Sequence, residues 1–180
     1  MDRALEICKE MLEQRGWNID EKDSEQETQE TQDNSDFSPI SGTTNTGNTF
    51  MIFCLFDKKL NISNVKECIN ILTESETTSA IIIYPDDITS AAKKMLQGLH
   101  TMKIELFATS ELQTNITKHV LVSQHQKLNQ EEKADFIKRM GHDIPIIYKG
   151  DPVSRFYNFE KGDIVRVLRK DNTIGYRIVK

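Results

Sequence analysis

The residues able to do chemistry are present but do not converge. His100, His119, His125 and His142 have no metal-ligand spacing among them, and no HEXXH pair occurs. His119 and His125 lie near an expected strand end, a placement that suits solvated imidazoles. Cys8, Cys54 and Cys68 are odd in number and lack CxxC spacing, which argues against a disulfide framework and a cysteine zinc site. The eight glycines are scattered, so no phosphate-cradling loop is expected, and no GxSxG elbow marks a nucleophile. The nearest approach to a catalytic set is Asp86 or Asp87 after one expected strand, with Lys103 and Glu105 on the next. Carboxylates and a lysine at adjacent strand ends are what a metal-dependent nuclease would use. The competing reading places Lys103 and Glu105 on the ordinary solvent-facing alternation of KIELF.

A second group is basic. Arg155, Lys161, Arg166, Arg169, Lys170, Arg177 and Lys180 crowd the final stretch from Gly150 to Lys180. Such a group fits phosphate contact, pairing with an acidic protein surface, or the solvated faces of a hairpin. Charge alone does not choose among the three. The net charge of −5 conceals an asymmetry: residues 1–117 hold 10 Lys and Arg against 20 Asp and Glu, and residues 118–180 hold 13 against 8. That split favours two units, 1–117 and 118–180, with different surfaces.

The elements that must position these groups follow from periodicity and punctuation. Asp2 to Gly16 reads as a helix with Leu5, Cys8 and Leu12 on one side and Gly16 as its C-cap. Trp17 follows as a core-facing aromatic. Asn18 to Asn48 holds eight acids against one lysine and few large apolar residues, which predicts a mobile polar loop. Thr49 to Phe56, Ala80 to Tyr84 and Lys103 to Phe107 read as strands, with helices from Asn61 and from Thr89 or Ser90 between them. Strand, helix, strand, helix, strand predicts crossovers and a largely parallel α/β layer.

Beyond Lys118 the pattern changes to α+β. His119 to Val122 reads as a brief extended run, and Asn129 caps a helix that Gly141 closes. Asp143 to Tyr148 is extended. Asp151-Pro152 then starts a short helix over Val153 to Tyr157, and Lys161-Gly162-Asp163 turns into a hairpin of Ile164 to Arg169 with Ile174 to Val179. No run approaches the ~20 apolar residues of a membrane span. The charged start, MDRALEICKE, is unlike a secretory signal, which predicts a cytosolic or nuclear protein and silent sequons at Asn61 and Asn115.

Taken in order, HVLVSQHQKL, NQEEKADFIKRM, IPIIYKGDPVSRFYNFEKGDIVRVLRK and GYRIVK resemble a known domain. It is the C-terminal assembly domain of the fifth-largest subunit of eukaryotic nuclear RNA polymerases, a domain that archaea carry alone, as a polymerase subunit without the jaw. Upstream, Arg15-Gly16-Trp17, FMIFCLF and IIIYPDDITSAAKKML resemble the eukaryotic jaw domain. The resemblance covers nearly all of the chain outside Asn18 to Asn48. GDPVSRFYNFEKGDIVRV followed by a terminal YRIV strand is its most specific part.

The resemblance implies an α/β jaw at 1–117 and a small α+β assembly domain at 118–180. It implies a non-catalytic structural subunit of DNA-dependent RNA polymerase, with no cofactor, metal, small-molecule substrate or membrane. The assembly domain would dock on the largest subunit. Asp151, Pro152, Val153, Arg155, Phe156, Tyr157, Gly162, Arg169, Tyr176 and Arg177 would shape or line that interface. The jaw would guide downstream duplex DNA through Asp86, Thr89, Ser90, Lys93 and Lys94, touching backbone and shape, because a polymerase slides over any sequence. The lysines would meet phosphates and Asp86 would weaken the grip. Two departures stand out: Ser90 occupies the place of a usual proline, and RKDNTIGYRIVK is a shortened hairpin. Both suggest a diverged member, from a large DNA virus or a polymerase-specific paralogue, working in a cytoplasmic virus factory or virion, or in the nucleus. The rivals are the stand-alone metal nuclease and a free protein-binding adaptor.

Overall fold

The computed structural model describes residues 2–20, 39–55, 59–85, 87–99, 101–141 and 143–180. It divides into two compact units, 1–114 and 115–180.

The N-terminal unit is a five-stranded sheet in the order β1-β2-β3-β4-β5, with β1 at Asn18–Ile19, β2 at Ile40–Thr43, β3 at Thr49–Cys54, β4 at Ser79–Tyr84 and β5 at Lys103–Ala108. Strands β3, β4 and β5 are parallel, while β1, β2 and β3 are antiparallel. Parallel neighbours need crossovers, supplied by α2 (Ile62–Glu74) and α3 (Ser90–Gly98). Val65, Cys68 and Leu72 of α2 and Ala92 of α3 pack with Phe53, Ala80 and Ile82 on one sheet face. Burial of each of the larger ones, Val65, Leu72, Phe53 and Ile82, contributes about 1.5–3 kcal/mol.

The opposite face carries the row Ile52, Ile81, Glu105, flanked by Phe50, Ile83 and Phe107. Helix α1 (Asp2–Arg15) joins this face through Arg15, which reaches Glu105, and its Ile7, Cys8, Met11 and Leu12 are buried. Trp17, directly after the helix, stands 4.9 Å ring to ring from Phe50.

Two expectations change here. The polar stretch 18–48 contains strands β1 and β2 and a turn at 44–47, held by Gly47 N–H donating to Thr44 O at 2.9 Å. Residues 21–38 of that loop lie outside the described residues. What propensity missed is close backbone approach. A Cβ on Gly42 would stand 2.5 Å from Asn18 O and 2.6 Å from Phe50 Cζ, so only glycine lets β1 and Phe50 close over β2.

The C-terminal unit has a four-stranded sheet, β6-β8-β9-β7, built from β6 (Gln124–Lys127), β7 (Ile146–Ile147), β8 (Ile164–Leu168) and β9 (Ile174–Val179). Helix α4 (Gln130–Met140) lays Phe136 and Ile137 on the face bearing Ile164 and Tyr176. Tyr157 and Phe159, beyond the short helix α5 (Pro152–Phe156), cover Val165 and Val179 on the other face. Register fixes this division, because a strand alternates its side chains between faces. The extended run expected at His119 to Val122 is instead a turn after the 3-10 segment Ile116–Lys118, closed by Val122 N–H donating to His119 O at 2.9 Å. The strand begins at Gln124, where backbone partners on β8 exist.

Candidate docking and DNA-facing surfaces

The loops after β3 and β4 are stitched together. Leu60 N–H donates to Asp87 O at 3.1 Å, Thr89 N–H donates to Leu60 O at 3.0 Å, and the exposed Lys59 and Asp87 pair at 3.1 Å. Thr89 caps α3, its hydroxyl accepting from Ala92 N–H at 3.3 Å, and Ser90 is the first helical residue. Lys93 and Lys94 are exposed on this helix. Asp86 lies outside the described residues.

The nuclease constellation is not assembled among the described residues. Asp87 follows the C-terminal end of β4, whereas Lys103 pairs with Ser79 at the opposite end of the same parallel strand pair. Five residues of strand, about 16 Å at the usual rise, separate the two levels. Glu105 is also not on a solvated alternation. Its two oxygens accept from Arg15 Nη1 at 2.9 Å and Nη2 at 2.8 Å, and the Arg15 side chain is 2% exposed. The arginine of another element, 90 residues away, claims the carboxylate, which local alternation could not reveal. Of the histidines, His119 Nδ1 accepts from Leu121 N–H and His125 Nδ1 meets Ser123 O, while His100 and His142 lie outside the described residues.

In the C-terminal unit the expected interface residues split into two groups. Asp151 is the N-cap of α5, accepting from Val153 N–H at 2.9 Å, with Pro152 at the first helical position. Val153 and Phe156 are buried within the unit, and Tyr157 stacks on Phe159 at 5.4 Å. Burial raises the Tyr157 pKa above its ordinary value, against a bond to Thr117 that lowers it. Tyr176 packs on Phe136 with ring centroids 4.3 Å apart. Gly162 takes a positive φ of 89° and donates its N–H to Val179 O, a turn that disfavours other residues. These side chains shape the unit. Arg169 and Arg177 are exposed, and Arg155 is half-buried.

The larger signal lies elsewhere. Eight large hydrophobics are exposed among the described residues, and seven of them, Val120, Leu121, Met140, Ile146, Tyr148, Leu168 and Ile174, belong to the C-terminal unit. Val120 and Leu121 are 66% and 84% exposed. The expected extended run here says nothing of burial; the missing backbone partner leaves the dipeptide at the surface.

Residues 114–179 match the family model for the RNA polymerase Rpb5 C-terminal domain. The C-terminal stretch 114–179 belongs to that domain family.

Relatives share its sequence over different spans. One is the subunit rpabc1 of DNA-directed RNA polymerases I, II and III from Dictyostelium discoideum, 32% identical over 65% of this chain and 62% of that protein. Another is subunit 5A of DNA-directed RNA polymerase V from Arabidopsis thaliana, 38% identical over 54% of this chain and 45% of that protein. A viral relative, 454R of Invertebrate iridescent virus 6, bears the name of a DNA-directed RNA polymerase subunit and is 29% identical over 99% of this chain and 98% of its own length. The chain therefore spans less than two thirds of the first two and nearly all of the viral one. Among solved structures, EndoMS in its apo form matches with a TM-score of 0.38 at 16% identity, over 58% of this chain and 45% of that one, too loose a likeness to bear on function.

Proposed function

We propose that this chain is a non-catalytic structural subunit of a DNA-dependent RNA polymerase. Its C-terminal unit is the assembly domain that docks on the largest subunit. Its N-terminal unit is a jaw that guides downstream duplex DNA, with Lys93 and Lys94 touching phosphates. The observation that carries the docking half is the uneven distribution of exposed apolar side chains, seven of eight in residues 115–180. Exposed apolar side chains gathered in one small unit favour burial against a partner. The basic balance of 13 against 8 in residues 118–180 adds an electrostatic preference for an acidic partner surface. The near full-length likeness to the viral 454R supports a viral polymerase, and a virus factory or virion as the site of work; a nuclear polymerase is the other reading.

The test is the composition of the complex purified with the tagged full-length chain, read by mass spectrometry. The expected outcome is copurification of the largest polymerase subunit, lost in a Val120→Asp, Leu121→Asp variant that retains the wild-type unfolding curve. Recovery of the chain free of polymerase subunits overturns the reading and leaves the free adaptor.

A further inference from the structure

Strand β9 is longer than the strand that covers it. It runs from Ile174 to Val179, whereas β7 on its outer side pairs only with Ile178 and Val179. Val179 N–H donates to Asp163 O toward the β8 side, and Ile178 N–H donates to Pro145 O toward the β7 side, both at 2.9 Å. Alternation then turns the backbone groups of Gly175 and Arg177 toward β8, and those of Ile174 and Tyr176 outward. Pro145 ends the cover. The next donor of the parallel ladder, aimed at the Tyr176 carbonyl, would be the N–H of residue 145, and proline has none. Outward from β9, Ile174 and Tyr176 have no backbone partner among the described residues.

The side chains beside this open edge alternate in character. On one face Ile174 lies opposite Leu168, 56% and 38% exposed. On the other face Gly175 contributes no side chain, and a Cβ there would meet only Arg169 Nη2, at 3.8 Å. Arg169 and Arg177 flank that gap, both exposed, and neither makes an ion pair or side-chain hydrogen bond among the described residues. The carboxylate nearest in sequence to Arg169, Asp171, feels its charge but makes its hydrogen bonds to Thr173, at 3.0 and 2.6 Å. Arg177 and the Asp151 carboxylate act on His125 in opposite directions, the arginine lowering its pKa and the carboxylate raising it.

We propose that this edge takes an extended segment of a partner protein in which apolar and acidic residues alternate. The segment's backbone bonds to Ile174 and Tyr176, its apolar side chains lie over Ile174 and Leu168, and its carboxylates sit over Gly175 between Arg169 and Arg177. Strand addition at an open edge supplies affinity through the backbone and specificity through alternate side chains. A free amide ladder fits a peptide and not a nucleic acid. A second copy of this chain is disfavoured, because self-pairing sets the arginines of one edge against those of the other. The inference deepens the docking reading and rests on it.

The test uses the full-length chain and two synthetic peptides, one alternating valine with glutamate and one alternating valine with lysine. By fluorescence anisotropy the glutamate peptide is expected to bind about tenfold more tightly than the lysine peptide. It is also expected to slow hydrogen exchange at the Ile174 and Tyr176 amides. An Arg169→Glu, Arg177→Glu variant loses about tenfold in affinity for it. Gly175→Val, which suits a strand and fills the gap, weakens binding while unfolding stays cooperative. Equal affinity for the two peptides, protection absent from those two amides, or undiminished binding by either variant overturns the proposal. Peptide binding reads the edge and copurification reads the docking, so each can fail alone.

Discussion

Arg15 and Glu105 are joined by two hydrogen bonds, 2.9 and 2.8 Å, between the end of α1 and the middle of β5. The same guanidinium lies 5.2 Å over the Trp17 ring, so one side chain ties helix, sheet and following loop together. Removing one partner strands a charge where solvent barely reaches. Glu105→Gln is expected to lower stability by about 3 kcal/mol in urea unfolding, and a Leu pair at both positions to recover part of that. A wild-type midpoint for Glu105→Gln would show the pair to be idle.

Gly42 offers a sharper steric test. Gly42→Ala places a methyl group within 2.6 Å of Phe50 Cζ and 2.5 Å of Asn18 O. Overpacking of that kind costs about 1–3 kcal/mol. Calorimetry should show a lowered Tm with β1 detached, seen as faster exchange of the Asp20 amide, which donates to Ser41 O at 3.1 Å.

The three thiols give a pH prediction. Burial pushes Cys8, Cys54 and Cys68 from an ordinary 9.0 up to about 12, for Cys8 with a smaller push from nearby Cys54. The unfolded chain therefore releases these protons first. The stabilisation is whole below pH 9.0 and is lost as pH rises from there toward 12. At pH near 8 the native protein should resist iodoacetamide, and all three cysteines should react in urea. Prompt native labelling of Cys8 would contradict its burial.

For the jaw, Lys93→Glu with Lys94→Glu should weaken elongation-complex stability in a salt-dependent manner. The dependence of log K on log salt should flatten by about 1 for each phosphate contact removed. An unchanged salt profile removes the DNA role assigned to α3.

Much of this architecture is legible from local signals. Asn129 and Glu132 make the reciprocal capping box that a first-turn acid suggests, at 2.8 and 3.0 Å. Asp151-Pro152 starts a helix, and the β-branched runs around Asp171-Asn172 form the hairpin. What escaped depends on distant partners. Ile40 to Thr43 looks polar and loop-like alone, yet pairs with β3. Glu105 looks solvated until Arg15 arrives from the far end of the unit. Val120 and Leu121 read as an extended run because apolar residues do not tell whether a neighbouring strand offers backbone partners. In the C-terminal unit the conspicuous motif supplies Val153 and Phe156, which are buried within it, whereas the exposed Val120, Leu121 and Tyr148 carry no motif.

The order in which this chain leaves the ribosome bears on α1. That helix emerges before its sheet, and its ion-pair partner is 90 residues later. At ordinary translation speeds the wait is roughly 5 to 18 s. During that interval Ile7, Met11 and Leu12 have no sheet to cover, and an amphipathic helix of 14 residues is marginal by itself. Nascent chains stalled before Glu105 has left the ribosome should therefore expose an apolar segment that a holdase chaperone protects, and chains in which Leu112 has emerged should not.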